Sequence, residues 1–302
     1  MERLIRSGCL AAVVVFQAAL PVFGQVPSAS ISTVDVRGAA VRVLTRGVAA
    51  REPGRPVLLL QAGAGSPIES WGEFLERVSE LAPVVTFDRP GIGQSSLVGV
   101  GMHPEQAAEH AHEVMEVIGV PPPYILVGHS WGGALILYYA DRYPEEVVGL
   151  VYLDPTEPRL PSWTYVLANS ASEYVEREAE FDEALQSLNL PPGRQAEQDR
   201  ILAFRRTPLD ERGVPGDGDV PTAIVLGGAP PALTGTAPSY IDASYLRAAM
   251  DGRMDRLAAW ARGRPETILI LATDAGHFVH RDQPGLAAEA VHWVVSAVSP
   301  VR

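Results

Sequence analysis

Apolar and polar positions along the chain alternate between two periods. The runs "VRVLTRG" (41–47) and "PVLLLQAG" (56–63) end in glycine, and the second is continuously apolar, as a strand buried on both faces would be. "WGEFLERVSELA" (71–82) then switches to helical spacing, and "PVVTFD" (83–88) switches back. Over 104–118 Ala107, Ala111, Val114, Met115 and Ile118 share one helical face, while Glu105, Glu109, His112 and Glu116 lie largely outside it. Pro104 suits the first turn of that helix, Gly119 its end, and "PPP" at 121–123 forbids continuation. A strand "YILVG" (124–128), a helix "WGGALILYYADRYP" (131–144) and a strand "EVVGLVYLD" (146–154) follow. Repeated strand–helix–strand units predict an α/β fold: a mostly parallel sheet with helices on both faces.

From Pro155 to about Val220 the alternation lapses into charged, helical stretches, "SASEYVEREAEFDEALQSL" and "AEQDRILAFRR", ending in "GVPGDGD". A structureless loop of that length is improbable in a compact domain, so 155–220 reads as an inserted helical lid. The sheet pattern resumes with "PTAIVLGG" (221–228), a helix over 243–263, "ETILILA" (266–272) and a last helix over 284–298. The expected core is therefore 25–154 together with 221–302.

The first 24 residues read as a signal peptide. "MERLIRSG" supplies two arginines, "CLAAVVVFQAALPVF" is too short to span a bilayer comfortably, and Val22, Phe23 and Gly24 predict cleavage before Gln25. The alternative is an N-terminal membrane anchor. Cys9, the single cysteine, would leave with the leader, so the mature chain has no disulfide and no cysteine-based metal site. Export to the periplasm or medium is the expectation, with no stable membrane insertion once the leader is gone.

A net charge of −12 argues against a nucleic-acid surface. All 24 basic residues are arginine, with no lysine, a bias of composition and not of chemistry.

"VGHSWGGA" (127–134) carries the chemistry. Ser130 stands between Gly128 and Gly132, after a buried strand and at the start of a helix, which is the context of a nucleophile elbow. The helix N-terminus aims free N–H groups, beginning with that of Trp131, at any oxyanion formed beside Ser130. An alcohol needs a base, and His277 in "DAGHFVHRDQPG" lies between the last strand and last helix, at the same sheet edge. His280 ranks second. His129 is expected to point away across the turn and pack, and His110 and His112 do not share a helical face as a metal pair would. His103 and His292 carry no signal. For the orienting acid, Asp154 ends the strand beside the elbow strand. Asp274 and Asp88 remain open, and no acid follows residue 227 until Asp242. The order Ser130, Asp154, His277 is that of a hydrolase triad. A second oxyanion donor is expected from "AGAGSP" (62–67), through the backbone N–H of Ala64.

Together "QAGAGSPIESW", "VVTFDRPGIGQSS", "YILVGHSWGGALILYYADRYPEEVVGLVYLDPT" and "GHFVHRDQP" resemble the α/β-hydrolase superfamily, specifically its lid-bearing serine hydrolases. The similarity covers about 33–154 and 221–300 and fails in the lid. In the resemblance the 88–91 run with Gly93 and Ser95 is structural. Ala62-Gly63 replaces the usual His-Gly, and the acid sits one strand earlier than in the commonest pattern. Related dehalogenases and epoxide hydrolases carry aspartate at the elbow, so Ser130 argues against both. The resemblance implies a cofactor-free, metal-free serine hydrolase, foremost a carboxylesterase acting through an acyl-enzyme on a small to medium apolar ester. A peptidase, a carbon–carbon hydrolase or a perhydrolase would use the same triad. A ligand-binding or sensor protein would keep the fold without turnover. Trp163, Tyr165, Tyr174, Phe181 and Phe204 of the lid suit either an apolar substrate or the lid's own core. Oligomeric state is not legible.

Overall fold

The computed structural model describes residues 28–157, 169–207, 211–213, 216, 218–229 and 237–298. The leader, Trp163 and Tyr165 lie outside the described residues. Eight strands form one sheet: β1 (Ala29–Val36), β2 (Ala39–Arg46), β3 (Val57–Gln61), β4 (Val84–Phe87), β5 (Tyr124–His129), β6 (Val147–Leu153), β7 (Thr222–Gly227) and β8 (Thr267–Ala272). Their order is β1-β2-β4-β3-β5-β6-β7-β8. β1 pairs antiparallel with β2, and β2 with β4. From β4 to β8 every pairing is parallel.

The continuous apolar runs became the central strands. Leu58, Leu59 and Leu60 are essentially inaccessible, because helices cover both faces, and each such side chain contributes roughly 1.5–3 kcal/mol through burial. On one face Leu59 and Leu126 pack with α2 (Pro104–Val117) and α3 (Trp131–Arg142). On the other, Leu58 and Val127 pack with α1 (Gly72–Ser79) and the helix Pro284–Val298. The α2 helix starts where Pro104 predicts; its preceding N–H, from His103, is accepted by Gln106 Oε1 at 2.9 Å.

β1 was not predicted. Its sequence, ASISTVDV, is small and polar, and seven of its eight positions are not buried, so neither a continuous apolar run nor a clean alternation marks it. A short helix, Val279–Asp282, also interrupts the loop expected between β8 and the last helix. Between β6 and β7 the described residues hold two helices, Ala171–Gln186 and Pro192–Arg206. The second seats against the core: Phe204 is 3% exposed and meets Trp131 edge-on, ring centroids 5.6 Å apart. Phe204 therefore belongs to an interface with α3, neither to a lid core nor to an open substrate wall.

Candidate active site

Three strand ends converge. In the β5–β6 pairing His129 is opposite Leu153, so the residues that follow, Ser130 and Asp154, leave the sheet at the same edge. The β7–β8 pairing puts Gly227 opposite Ala272, which brings the loop bearing His277 to that edge too. Ser130 takes φ 52°, ψ −120°, a backbone region that costs a non-glycine residue about 1–3 kcal/mol. The surroundings hold it there: its N–H donates to Leu153 O at 3.1 Å, and its carbonyl accepts from Thr156 N at 2.7 Å. Gly132 has to be glycine, because a Cβ there would overlap the carbonyl oxygen of Gln61 in β3.

Ser130 Oγ is 2.9 Å from His277 Nε2, and His277 Nδ1 is 2.6 Å from Asp154 Oδ2. Asp154 is 3% exposed, and like Ser130 it adopts positive φ, 44°. Its other oxygen accepts the N–H of Gly227 at 2.9 Å and Nη1 of Arg253 at 2.8 Å. Burial pushes this carboxyl up, but the His277 hydrogen bond, the Arg253 charge and the Gly227 N–H outweigh it, and the net shift is downward. The acid is ionised at neutral pH. The other candidates are placed elsewhere. Asp88 is fully buried, accepts N–H groups of Ile68 and Gln94 and pairs with Arg42. Asp274 is exposed, and Asp242 caps the helix Ala243–Arg262.

His129 does more than pack. Its ring, 2% exposed, lies 4.3 Å from that of His280, and its Nε2 is 2.9 Å from the carbonyl oxygen of His277. Burial, then the neighbouring His280 and His277, drive its pKa well down, so the ring is neutral and donates from Nε2 to that carbonyl. The loop bearing His277 is thereby tied to the elbow strand. His280 contacts Ser70 O through Nε2 at 3.2 Å, and burial holds its pKa down to about 4, so it is a neutral wall residue.

The loop after β3 passes over the elbow. A Cβ at Gly63 would stand 3.2 Å from Ser130 Cβ and 2.8 Å from His129 Nδ1, so the backbone just before Ala64 runs close to the serine. Trp131, 2% exposed, opens α3, where first-turn N–H groups lack helical partners. Arg89 turns the carbonyls of the loop away: its Nη1 donates to Ala62 O and its Nη2 to Gly63 O, both at 2.7 Å. The same guanidinium pairs with Glu197 at 2.6 Å, and Glu197 Oε2 also accepts the N–H of Gly65 at 2.5 Å. Both side chains of that pair are nearly buried, 7% and 12% exposed. Sequence reasoning missed Glu197 and Arg253. Each is one charge among many on a polar helix, with no motif around it. Arg89 carried a signal in "DRPG", though not of this contact. Among the described residues no cluster of three or more His, Cys, Asp or Glu could hold a metal.

A model of the "Alpha/beta hydrolase family" matches residues 57–290. Among curated proteins, YqjL of Bacillus subtilis (strain 168) is 26% identical over 137 residues, 43% of this chain and 54% of that protein. A (lyso)-N-acylphosphatidylethanolamine lipase of Mus musculus is 31% identical over 118 residues, 38% of this chain and 34% of the lipase. The chain thus spans about half or less of the relatives it matches. Among solved structures, a loop variant of haloalkane dehalogenase DbeA from Bradyrhizobium elkanii superposes with TM-score 0.63 at 15% identity, covering 89% of this chain and 97% of that one. A bacterial membrane phospholipase A gives 0.57 at 21%, covering 90% and 87%. Both show likeness of fold.

Proposed function

The chain belongs to the alpha/beta hydrolase family, and from that premise we propose that it is a serine hydrolase, a carboxylesterase working through an acyl-enzyme. The observation that carries the reading is the chain of contacts from Ser130 Oγ to His277 Nε2, 2.9 Å, and from His277 Nδ1 to Asp154 Oδ2, 2.6 Å. His277 takes the proton of Ser130 as its oxygen attacks the acyl carbonyl. Asp154 keeps Nδ1 protonated, which leaves Nε2 free to accept, and it stabilises the imidazolium that forms. The N–H groups of Ala64 and Trp131 hold the oxyanion. His277 then returns the proton to the leaving alcohol, and the same base activates the water that frees the acid. The dehalogenase likeness does not bring dehalogenation with it, since the elbow residue here is serine. The lipase and phospholipase likenesses favour an ester of an apolar acid over an amide. We also propose export, resting on the leader over residues 1–24, and assign the inserted segment 155–220 as a lid over this edge.

Hydrolysis of a short series of p-nitrophenyl esters by the mature protein, with Ser130→Ala beside it, tests the reading. The expected result is turnover that the variant loses by a factor of about 10⁴ or more, with unchanged circular dichroism. Turnover retained in the variant would overturn it. Amino-terminal sequencing of the secreted protein, expected to begin at Gln25, tests export.

A further inference from the structure

Besides the Gly227 N–H, Asp154 Oδ1 has a charged partner that the triad does not require. Arg253 projects from the helix Ala243–Arg262, 99 residues away in the chain, and its guanidinium bridges two groups: Nη1 to Asp154 Oδ1 at 2.8 Å and Nη2 to Pro155 O at 2.6 Å. The carboxylate it meets is 3% exposed, whereas the guanidinium itself is 28% exposed. A positive charge therefore stands behind the acid, on the oxygen opposite the one facing His277. Its effect on the base follows from Coulomb's law. The carboxylate favours a protonated imidazole, and a cation on its far side offsets part of that pull across a buried carboxylate. The other groups facing the pair cannot supply this. His129 on β5 and His280 on the short helix are buried and neutral, while Arg281 and Asp282 beside them carry opposite charges.

We propose that Arg253 is a positioning residue that sets how far into acid the Ser130–His277 pair remains reactive, by clamping Asp154 to the start of the insertion and neutralising its far oxygen. The inference rests on the serine-hydrolase reading. The compromise is explicit: the imidazolium formed on attack is stabilised less, and in return reactivity reaches further into acid.

The test measures the rate at which a fluorophosphonate labels Ser130 between about pH 5 and pH 9, a readout that needs no knowledge of the natural substrate. In Arg253→Gln the acid limb is expected to move up by roughly half to one pH unit, because the cation is gone. Arg253→Lys keeps the charge but loses the planar fork whose two nitrogens span Asp154 Oδ1 and Pro155 O. Its limb is expected to stay in place while its plateau rate falls several-fold. A limb that stays at its wild-type position in a folded Arg253→Gln overturns the proposal. Should Arg253→Gln not fold by circular dichroism, Arg253→Lys decides: a displaced limb, or an undiminished plateau, overturns it. Wild-type protein that takes no label at all is a different failure, one that removes the serine-hydrolase reading itself.

Discussion

Ser130 and Ala64 follow neighbouring strands, with Gly128 opposite Gln61 in the β3–β5 pairing, yet the two turns are held by different means. The elbow is fixed by the sheet itself: by Leu153 O, by the N–H of Thr156, and by the close approach of Gly132 to Gln61. The facing loop is fixed from outside. Arg89 gathers its carbonyls, and Glu197, from the helix Pro192–Arg206, binds both Arg89 and the N–H of Gly65. The proposed nucleophile is thus presented by the core, whereas the proposed oxyanion donor of Ala64 depends on the insertion between β6 and β7. A segment that looks like an accessory is, through one ion pair, part of what shapes the site.

The sharpest way to break that comparison is at the elbow. Ser130→Ala should abolish labelling and turnover while leaving the thermal midpoint nearly unchanged, because only the chemistry is removed. Glu197→Gln should instead strike the facing loop. It leaves Arg89 with a buried charge that has lost its partner, a class of change that costs about 3–5 kcal/mol of stability. Through the loop, kcat should fall about 10–100-fold with KM little altered, less than the roughly 10²–10³-fold of a donor removed outright, because the donor is displaced and not deleted. Steady-state kinetics beside thermal unfolding separates the two effects, and a variant with wild-type kcat would show that the insertion does not support the loop. Gly193→Ala is gentler. A Cβ there would overlap the Gly91 carbonyl, so the helix must shift, at about 1–3 kcal/mol in stability and a smaller loss of rate.

Protonation distinguishes the regions next. Burial holds His280, at the site, and His110, on the opposite face of the sheet against Phe87, down to about 4. Unfolded, each would titrate near 6.5, so the unfolded chain takes up protons first as pH falls. Stability is whole above about pH 6.5 and is lost progressively down to about pH 4, on the order of 3 kcal/mol per histidine at the low end. His110→Gln should flatten that loss in thermal unfolding with little effect on turnover, since its ring packs against Phe87 and takes no part in the Ser130–His277–Asp154 contacts. The smallest effect is expected at the surface pair Arg77–Glu73 on α1, where Glu73→Gln should move stability by about 0.5 kcal/mol or less.

That Ser130, His277 and Asp154 meet was legible because each sits at a place that local pattern marks: a glycine-flanked serine between strand and helix, a histidine after the last strand, an aspartate following β6. β1 was not legible, because a mostly exposed edge strand has no buried face to write its period into the sequence. His129 was read only as packing, because its bond to the His277 carbonyl joins residues 148 apart.

What the sequence determined alone is therefore most of the sheet and the chain order of the three side chains that meet at its edge. Burial of continuous apolar runs and the steric demand of close strand–helix passage leave short-range signatures in a chain. What only the tertiary structure decided is how those groups are held and tuned. Arg253 meets Asp154 and Glu197 meets Arg89 across 99 and 108 residues, and a charge that finds its partner through folding looks, in the chain, like any solvated charge on a helix. Electrostatic pairing has no period. It becomes readable only when low-dielectric surroundings make one contact among many matter.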